Sequence, residues 1–268
     1  MHPRVSVSAI CTFPWSLEED LEFWADAGVT NVGVSVAKLE RAGWSEGVER
    51  VEAAALRVGN LIGLGPFHLD DPTRWTPQRE RLVRAVDAAV ILDADCLVFT
   101  TGPSGRLTWE EAADALETAM APVLTVAREH GVPFAIEHTN PLRVDVGFVH
   151  TLRDDIDLAR RLGTGVCMEI NACWAERDLG RIIHDGVDTL RLVQVSDFSI
   201  GTLSTPNRLV PGDGDIPLER IIGDVLDAGY TGCFDLELIG PSIDEEGYPS
   251  AIRRAIDRLT DLLTRLGA

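Results

Sequence analysis

The sequence predicts an α/β protein built as a single (β/α)₈ barrel over residues 1–268. Eight short runs rich in Val, Ile, Leu and Phe alternate with segments of helical periodicity along the whole chain. Eight strand–helix repeats of this size fill the length of one such barrel. A doubly wound open sheet is the alternative. The first predicted strand and the residues after it, VSVSAICTFPWS, contain no glycine, so the G-x-G-x-x-G dinucleotide-binding fingerprint of such sheets is absent.

The predicted strands come at regular intervals. In order they are VSVSAI, NVGVSV, NLIGLGPF, CLVFTTG, PFAIEHTN, TGVCMEIN, LRLVQVSDF and GCFDLELIG. The helices between them carry start and stop signals: Ser16 and Glu19 form a capping-box sequence before the first helix, and Gly28 ends it. Thr108 and Glu111 repeat the capping box before a later helix, and YPSAIRRAIDRLTDLLTRLG supplies the last one. No linker or low-complexity tract marks a second domain.

The composition excludes several classes of partner. The chain has 24 Lys and Arg residues against 43 Asp and Glu, for a net charge of −19, and Lys38 is its sole lysine. Such a chain repels phosphate backbones, so nucleic acid is not an expected partner. No apolar run approaches the ~20 residues of a membrane span, and the N-terminus does not resemble a secretory signal. Five cysteines, an odd number, argue against a disulfide framework and favour a reduced, cytoplasmic setting.

Four consecutive predicted strands carry one acid or amide each in the half nearer their C-terminal ends, where a barrel has its active face. They are Glu137 in FAIEHTN, Glu169 in VCMEIN, Gln194 in LVQVSD and Glu237 in FDLELIG. Taken singly, each glutamate could face outward and pair with an arginine on a covering helix. Together, three carboxylates and an amide oxygen form a cage for a divalent cation, because converging carboxylates repel unless a positive charge lies among them. An all-oxygen set favours Mn²⁺ or Mg²⁺ over Zn²⁺.

These residues give the chain its resemblance to a known family, the sugar isomerases and epimerases of the xylose-isomerase-like TIM barrel type. The likeness covers nearly the whole chain and is most specific in IEHTN, GVCMEIN, VQVSDF and VPGDGDIPLERIIGDVLDAGYTGCFDLELIG. It implies that a divalent metal, often Mn²⁺, is held by Glu137, Glu169, Gln194 and Glu237, with Gln in the third place as in members similar to hydroxypyruvate isomerase. It also implies that Glu137 and Glu237 are the catalytic acid/base pair, acting on an enediolate.

The resemblance and the strand ends also indicate substrate-binding residues. The family has a substrate-contacting arginine in the long loop SIGTLSTPNRLVPGDGDIP, which corresponds to Arg208. His68 follows the third predicted strand and could face the pocket. Many members end the second strand with a glutamate, whereas here the local candidate is Lys38, which could instead be a free surface lysine. A substrate-binding histidine of the family is replaced by Ala172, and Asn171 is expected to occupy the room it leaves.

Other residues near the strand ends are assigned to packing. Strand alternation turns His138 away from its neighbouring glutamate and into the barrel wall. Trp15 and Trp174 follow strand ends, where they either form apolar pocket walls or pack loops. Cys167 and Cys173 have neither zinc nor redox spacing and are expected to fill the core.

The leading prediction is an enzyme of carbohydrate metabolism, a metal-dependent isomerase or epimerase that acts on a sugar-like hydroxy-ketone through an enediolate. The alternative is a metal-dependent lyase or dehydratase that uses the same site on a polyol or keto-sugar derivative. A third hypothesis is a non-catalytic protein that binds a metal or another ligand. Hydrolysis at abasic DNA would need several histidines, a zinc cluster and a basic face, none of which is visible in the sequence. The expected partner is a small-molecule substrate, and whether the chain forms a homo-oligomer stays open.

Overall fold

A computed structural model describes residues 1–268 and shows a closed barrel of eight parallel strands. Each strand pairs with the next in chain order, and the last pairs with the first. The strands are β1 Val5–Ser8, β2 Asn31–Ser35, β3 Arg57–Ile62, β4 Leu97–Thr100, β5 Phe134–Glu137, β6 Gly165–Glu169, β7 Leu190–Val195 and β8 Phe234–Leu236. The predicted (β/α)₈ fold is therefore confirmed, and the open-sheet alternative is excluded.

Helices connect every strand to the next, and an extra short helix comes before the covering helix after β2, β6 and β8. The helices are α1 Leu17–Ala27, α2 Val36–Arg41, α3 Trp44–Ala53, α4 Trp75–Ile91, α5 Trp109–Glu129, α6 Leu152–Leu162, α7 Ile170–Cys173, α8 Leu179–Gly186, α9 Leu218–Asp227, α10 Pro241–Glu246 and α11 Tyr248–Leu266. The short extra helices are α2, α7 and α10. None of the helices is long and apolar enough to cross a membrane.

Local sequence signals set the helix ends. Ser16 accepts a hydrogen bond from the backbone N–H of Glu19, whose side chain accepts one from the Ser16 N–H in return. Thr108 and Glu111 make the same reciprocal pair at the start of α5. Gly28 ends α1 with a φ of 65°, a left-handed conformation that glycine adopts without steric cost. These bonds satisfy backbone donors that a helix start otherwise leaves unpaired.

The barrel interior has two unlike sides. Residues of β3 to β7, with Cys96 just before β4, form a small apolar cluster inside the barrel, separate from the main core between strands and helices. Its members are Ile62, Cys96, Val98, Ala135, Cys167 and Leu192. The other side is polar, with Ser6, Asn60 and Asp235 fully buried. Gly33 makes room for them, because a Cβ there would lie 2.8 Å from the Asn60 amide nitrogen and 3.1 Å from an Asp235 carboxylate oxygen.

The long loop after β7 is folded around one carboxylate. Asp197 accepts hydrogen bonds from the backbone N–H groups of Gly212 at 2.8 Å, Gly214 at 3.0 Å and Ile216 at 3.0 Å. Its own backbone exchanges two hydrogen bonds with Leu209. The returning half of the loop is thereby fixed against the strand, and Arg208 is brought back to the C-terminal mouth of the barrel.

Candidate metal centre

Three glutamates from neighbouring parts of the barrel converge at its C-terminal end. Glu137 ends β5, Glu169 ends β6 and Glu237 directly follows β8. One carboxylate oxygen from each lies within 4.8 Å of the others. Glu169 and Glu237 are buried and Glu137 is half-buried. Because parallel strands place equivalent ends at one rim, residues far apart in sequence meet here.

Gln194 lies beside this cluster in β7. It is level with Glu169 in the strand register and fully buried. Its side-chain nitrogen contacts a Glu237 carboxylate oxygen, while its amide oxygen has no hydrogen-bond partner. An orphaned buried acceptor is costly in a folded protein. This amide oxygen and the three carboxylates fit a divalent cation, for which every donor would be oxygen.

Arg208 provides the positive charge now present among the carboxylates. One guanidinium nitrogen lies 2.7 Å from a Glu169 oxygen, and another lies 2.8 Å from a Glu237 oxygen. The second nitrogen also donates to the Glu237 backbone carbonyl at 3.1 Å. Three carboxylates and one guanidinium leave a formal charge of −2, which one divalent cation would balance.

Two of the three glutamates hold their protons more tightly than exposed glutamates do. Burial raises the pKa of Glu137 well above its ordinary value, and the charges of Glu237 and Glu169 raise it further. Burial also raises the pKa of Glu237 to about 7, although Arg208 opposes the shift. A cation that binds here therefore competes with protons as well as with Arg208.

A buried histidine–aspartate pair supports the cluster from behind. His138 is fully buried, and its Nδ1 lies 3.0 Å from Asp155 Oδ2 in α6. Its Nε2 lies 3.2 Å from the backbone carbonyl oxygen of Glu169. The pair links α6 to the ends of β5 and β6, the two strand ends that carry Glu137 and Glu169. Strand alternation predicted that His138 turns into the wall, but its partner Asp155 was not predicted, since no local signal links positions 17 residues apart.

Lys38 does not line the site, contrary to its expected role in substrate binding. Its Nζ lies 2.6 Å from Asp20 Oδ2 and donates to the Thr12 carbonyl at 2.8 Å, and its side chain is 1% exposed. Because α2 begins directly after β2, position 38 lies one helical turn beyond the strand and points back between α1 and the first loop. Nor is Lys38 a free surface lysine.

The central cavity has a volume of about 290 Å³ and lies over the carboxylates. Asn171 and Arg208 line it, as do Arg143 and Asn140, which sequence reasoning did not identify. His68 does not line it but borders an adjoining outer groove with Arg74, Gln78 and Arg81, and Pro66 lies between the two. Sequence reasoning could find Asn171 and Arg208 because motifs flank them, whereas loop geometry alone decides which way His68 faces.

The tryptophans are not cavity walls. Trp15 packs edge-to-face against Phe23 and Tyr248 with ring centroids 5.7 Å apart in each case, and Trp174 packs against the main core. Of the two roles that the sequence left open for these tryptophans, packing is therefore the one that both have. Cys167 and Cys173 are buried as free thiols, in agreement with core filling.

The fold and the site together define a (β/α)₈ barrel with an acid-lined pocket at the C-terminal ends of its strands. Residues 21–262 match the family model described as xylose isomerase-like TIM barrel. The chain belongs to this family, as the resemblance in its second half predicted.

Individual relatives are distant in sequence. An inosose isomerase of Halalkalibacterium halodurans is 23% identical over 144 residues, which is 52% of this chain, and the chain spans 51% of that relative's length. A solved structure of the IOLI protein with a binding zinc atom has a TM-score of 0.85 at 16% identity, over 98% of this chain and 99% of that one. The D-psicose 3-epimerase of Clostridium cellulolyticum H10, solved with D-tagatose, has a TM-score of 0.75 at 16% identity, over 97% and 99%. At such identities these structures show the shared fold.

Proposed function

We propose that the protein is an isomerase or epimerase of sugar-like hydroxy-ketones that requires a divalent metal ion, Mn²⁺ or Mg²⁺, and moves a proton by way of an enediolate. The observation that carries this proposal is the convergence of three glutamate carboxylates within 4.8 Å, beside the unpartnered amide oxygen of Gln194. Family membership and the named activities of the inosose isomerase and the D-psicose 3-epimerase support the same reaction class.

The ligands of the metal in this proposal are Glu137, Glu169, Gln194 and Glu237. All four offer oxygen, and no histidine or thiolate joins them, so a hard cation is favoured. The IOLI structure contains zinc, and metal analysis is therefore part of the test. When bound, the metal would polarise a substrate carbonyl and stabilise the charge that develops on its oxygen.

Glu137 and Glu237 are the proposed acid/base pair. Two strands, β6 and β7, separate them around the barrel, so their carboxylates reach the cavity from different directions. One removes the proton from the carbon beside the carbonyl, and the other returns a proton to the opposite face or to the neighbouring carbon. Arg208 holds Glu237 in place through the contact at 2.8 Å and offers its remaining N–H groups to a substrate oxygen.

Solvent deuterium exchange tests the proposal directly. Protein stripped of metal and reloaded with Mn²⁺ is incubated with α-hydroxy ketones in D₂O, and mass spectrometry measures deuterium at the carbon beside the carbonyl. Glu137→Gln keeps an amide oxygen for the metal but cannot take a proton, so exchange should fall by roughly 10²–10⁴-fold while bound Mn²⁺, measured by elemental analysis, persists. Glu129→Gln, the same change at an exposed position at the end of α5, is the control.

The outcomes separate the competing functions. Exchange that is unchanged in Glu137→Gln would refute the assignment of the acid/base pair. A product lighter than the substrate by one water would identify a lyase, because isomerisation and epimerisation conserve mass. A protein that binds Mn²⁺ through these residues and exchanges no substrate proton would be a binding protein.

A further inference from the structure

The central cavity is divided into a charged half and an apolar half. The charged half comes from β5 to β8 and carries the carboxylates and Arg208. On the half that comes from β1 to β4 and the loops after them, the cavity is lined by Ile10, Phe13, Ile62, Gly63, Gly65, Pro66, Val98 and Thr100. Thr100 has the only polar side chain in that set. The two other polar residues predicted near this side do not reach it: Lys38 is bound to Asp20, and His68 borders the outer groove.

An apolar wall discriminates against hydroxyl groups. Ile62 is 5% exposed and lies deep, Ile10 is partly buried, and Phe13 is 59% exposed at the mouth. A hydroxyl held against Ile62 and Ile10 therefore loses its hydrogen bonds to water and meets no polar side chain there. Such a loss weakens binding by about fivefold to a hundredfold for each group. A C–H surface placed there instead is removed from water favourably. With three carboxylates opposite, the wall favours a substrate whose oxygens are gathered on one side.

The cavity is also unsuited to a phosphate or carboxylate on the substrate. Two arginines line it, and both are already paired: Arg208 with Glu169 and Glu237, and Arg143 with Asp145 at 3.0 Å. A free anion would have to displace Arg208 from two buried carboxylates, or Arg143 from its more exposed pair with Asp145 at the edge of the cavity. With a divalent cation bound, the cluster has no net formal charge and both arginines are engaged, so the cavity offers the charge of a sugar phosphate no compensation for its lost hydration.

Building on the proposed function, we infer that the substrate is an uncharged α-hydroxy ketone whose carbons beyond the reacting pair present C–H rather than hydroxyl to the wall formed by Ile10, Phe13 and Ile62. The class comprises deoxygenated hydroxy-ketones and rings bound with a C–H face on that wall. Open-chain sugars with a hydroxyl on every carbon, and their phosphates, fall outside it. The hydroxyl and carbonyl oxygens of the reacting pair face Glu137 and Glu237.

A matched substrate pair tests this inference. The compounds 1-hydroxybutan-2-one and erythrulose (1,3,4-trihydroxybutan-2-one) share the hydroxyl-bearing carbon and the carbonyl but differ by two hydroxyls. Deuterium exchange at C1 and C3 is measured with Mn²⁺-loaded protein, and each C1 rate is divided by the rate with Mn²⁺ alone. The corrected kcat/KM should be at least about tenfold higher for 1-hydroxybutan-2-one. Erythrulose 4-phosphate should be the poorest of the three.

Variants locate the preference in the wall. Ile62→Thr places a hydroxyl on the floor of the cavity and should lower the ratio of the two kcat/KM values by about fivefold or more. Ile10→Thr, at a partly exposed position, makes the same test if Ile62→Thr does not fold. Ile91→Thr, the same change on an exposed turn of α4, should leave the ratio unaltered.

A preference for 1-hydroxybutan-2-one that falls in Ile62→Thr or Ile10→Thr supports the inference. A preference for erythrulose or its phosphate, or a ratio that neither variant changes, overturns the inference and leaves the proposed function intact. Absence of exchange at both C1 and C3 with all three compounds, in protein that holds Mn²⁺, overturns the proposed function and the inference with it.

Discussion

Replacing Lys38 distinguishes a buried structural ion pair from a substrate-binding lysine. The Lys38–Asp20 pair is 2.6 Å long, and its side chains are 1% and 0% exposed. Lys38→Met leaves the Asp20 carboxylate buried without its cation, and loss of one partner of a buried pair costs about 3–5 kcal/mol. Asp20→Asn in the same chain removes the stranded charge and keeps an acceptor for the Thr12 hydroxyl. The double variant should therefore recover most of the lost stability.

Urea unfolding of the metal-free protein measures these differences. Arg265→Met, which breaks an exposed pair with Glu219 at 3.4 Å, is the control and should cost less than about 1 kcal/mol. Burial raises the pKa of Asp20, so the penalty of Lys38→Met should be smaller at pH 5, where Asp20 can take up a proton, than at pH 8. Normal stability of Lys38→Met together with lost deuterium exchange would refute this reasoning and place Lys38 in substrate binding.

Three other outcomes are expected. Arg208→Met removes the guanidinium from two carboxylates, so the metal-free protein should lose about 3–5 kcal/mol and regain most of it with Mn²⁺; equal losses with and without Mn²⁺ would contradict this. Metal affinity should fall as pH drops below about 7, because the pKa of Glu237 is raised to about 7 and ligand carboxylates must be ionised. Titration calorimetry that detects no proton release on metal binding would rule out this coupling. The five cysteines are buried, and burial raises the pKa of every one. They should resist a thiol reagent until the chain unfolds, and rapid labelling of the native protein would disprove their burial.

Features of the fold that depend on nearby residues were predictable from the sequence. The capping boxes at Ser16 and Thr108 involve partners three residues away, and the strands are read from continuous apolar runs. The meeting of Glu137, Glu169 and Glu237 was predictable for a different reason. A parallel barrel gathers all strand ends at one rim, so the fold class alone turns separate positions into one cluster.

Features set by the paths of loops were not predictable. Lys38 was expected in the pocket because it follows β2, but the immediate start of α2 turns it toward Asp20. Asp155 became a partner of His138 only through the packing of α6 on the barrel. The apolar half of the cavity also escaped sequence reasoning, because Ile10 and Phe13 lie in a loop whose apolar residues resemble those of any core segment.

The anchoring of the long loop by Asp197 has a consequence for how specificity can evolve. The loop is fixed from Leu209 onward by the hydrogen bonds to Asp197. The backbone N–H of Arg208 also donates to the Ile239 carbonyl at 3.0 Å. Residues 199–206 therefore form an excursion that leaves and returns at fixed points, with Leu203 88% exposed at its tip. Such a segment can be lengthened, shortened or exchanged as a cassette while the acid-bound arginine stays in place. It offers a natural position for grafting new selectivity onto unchanged chemistry.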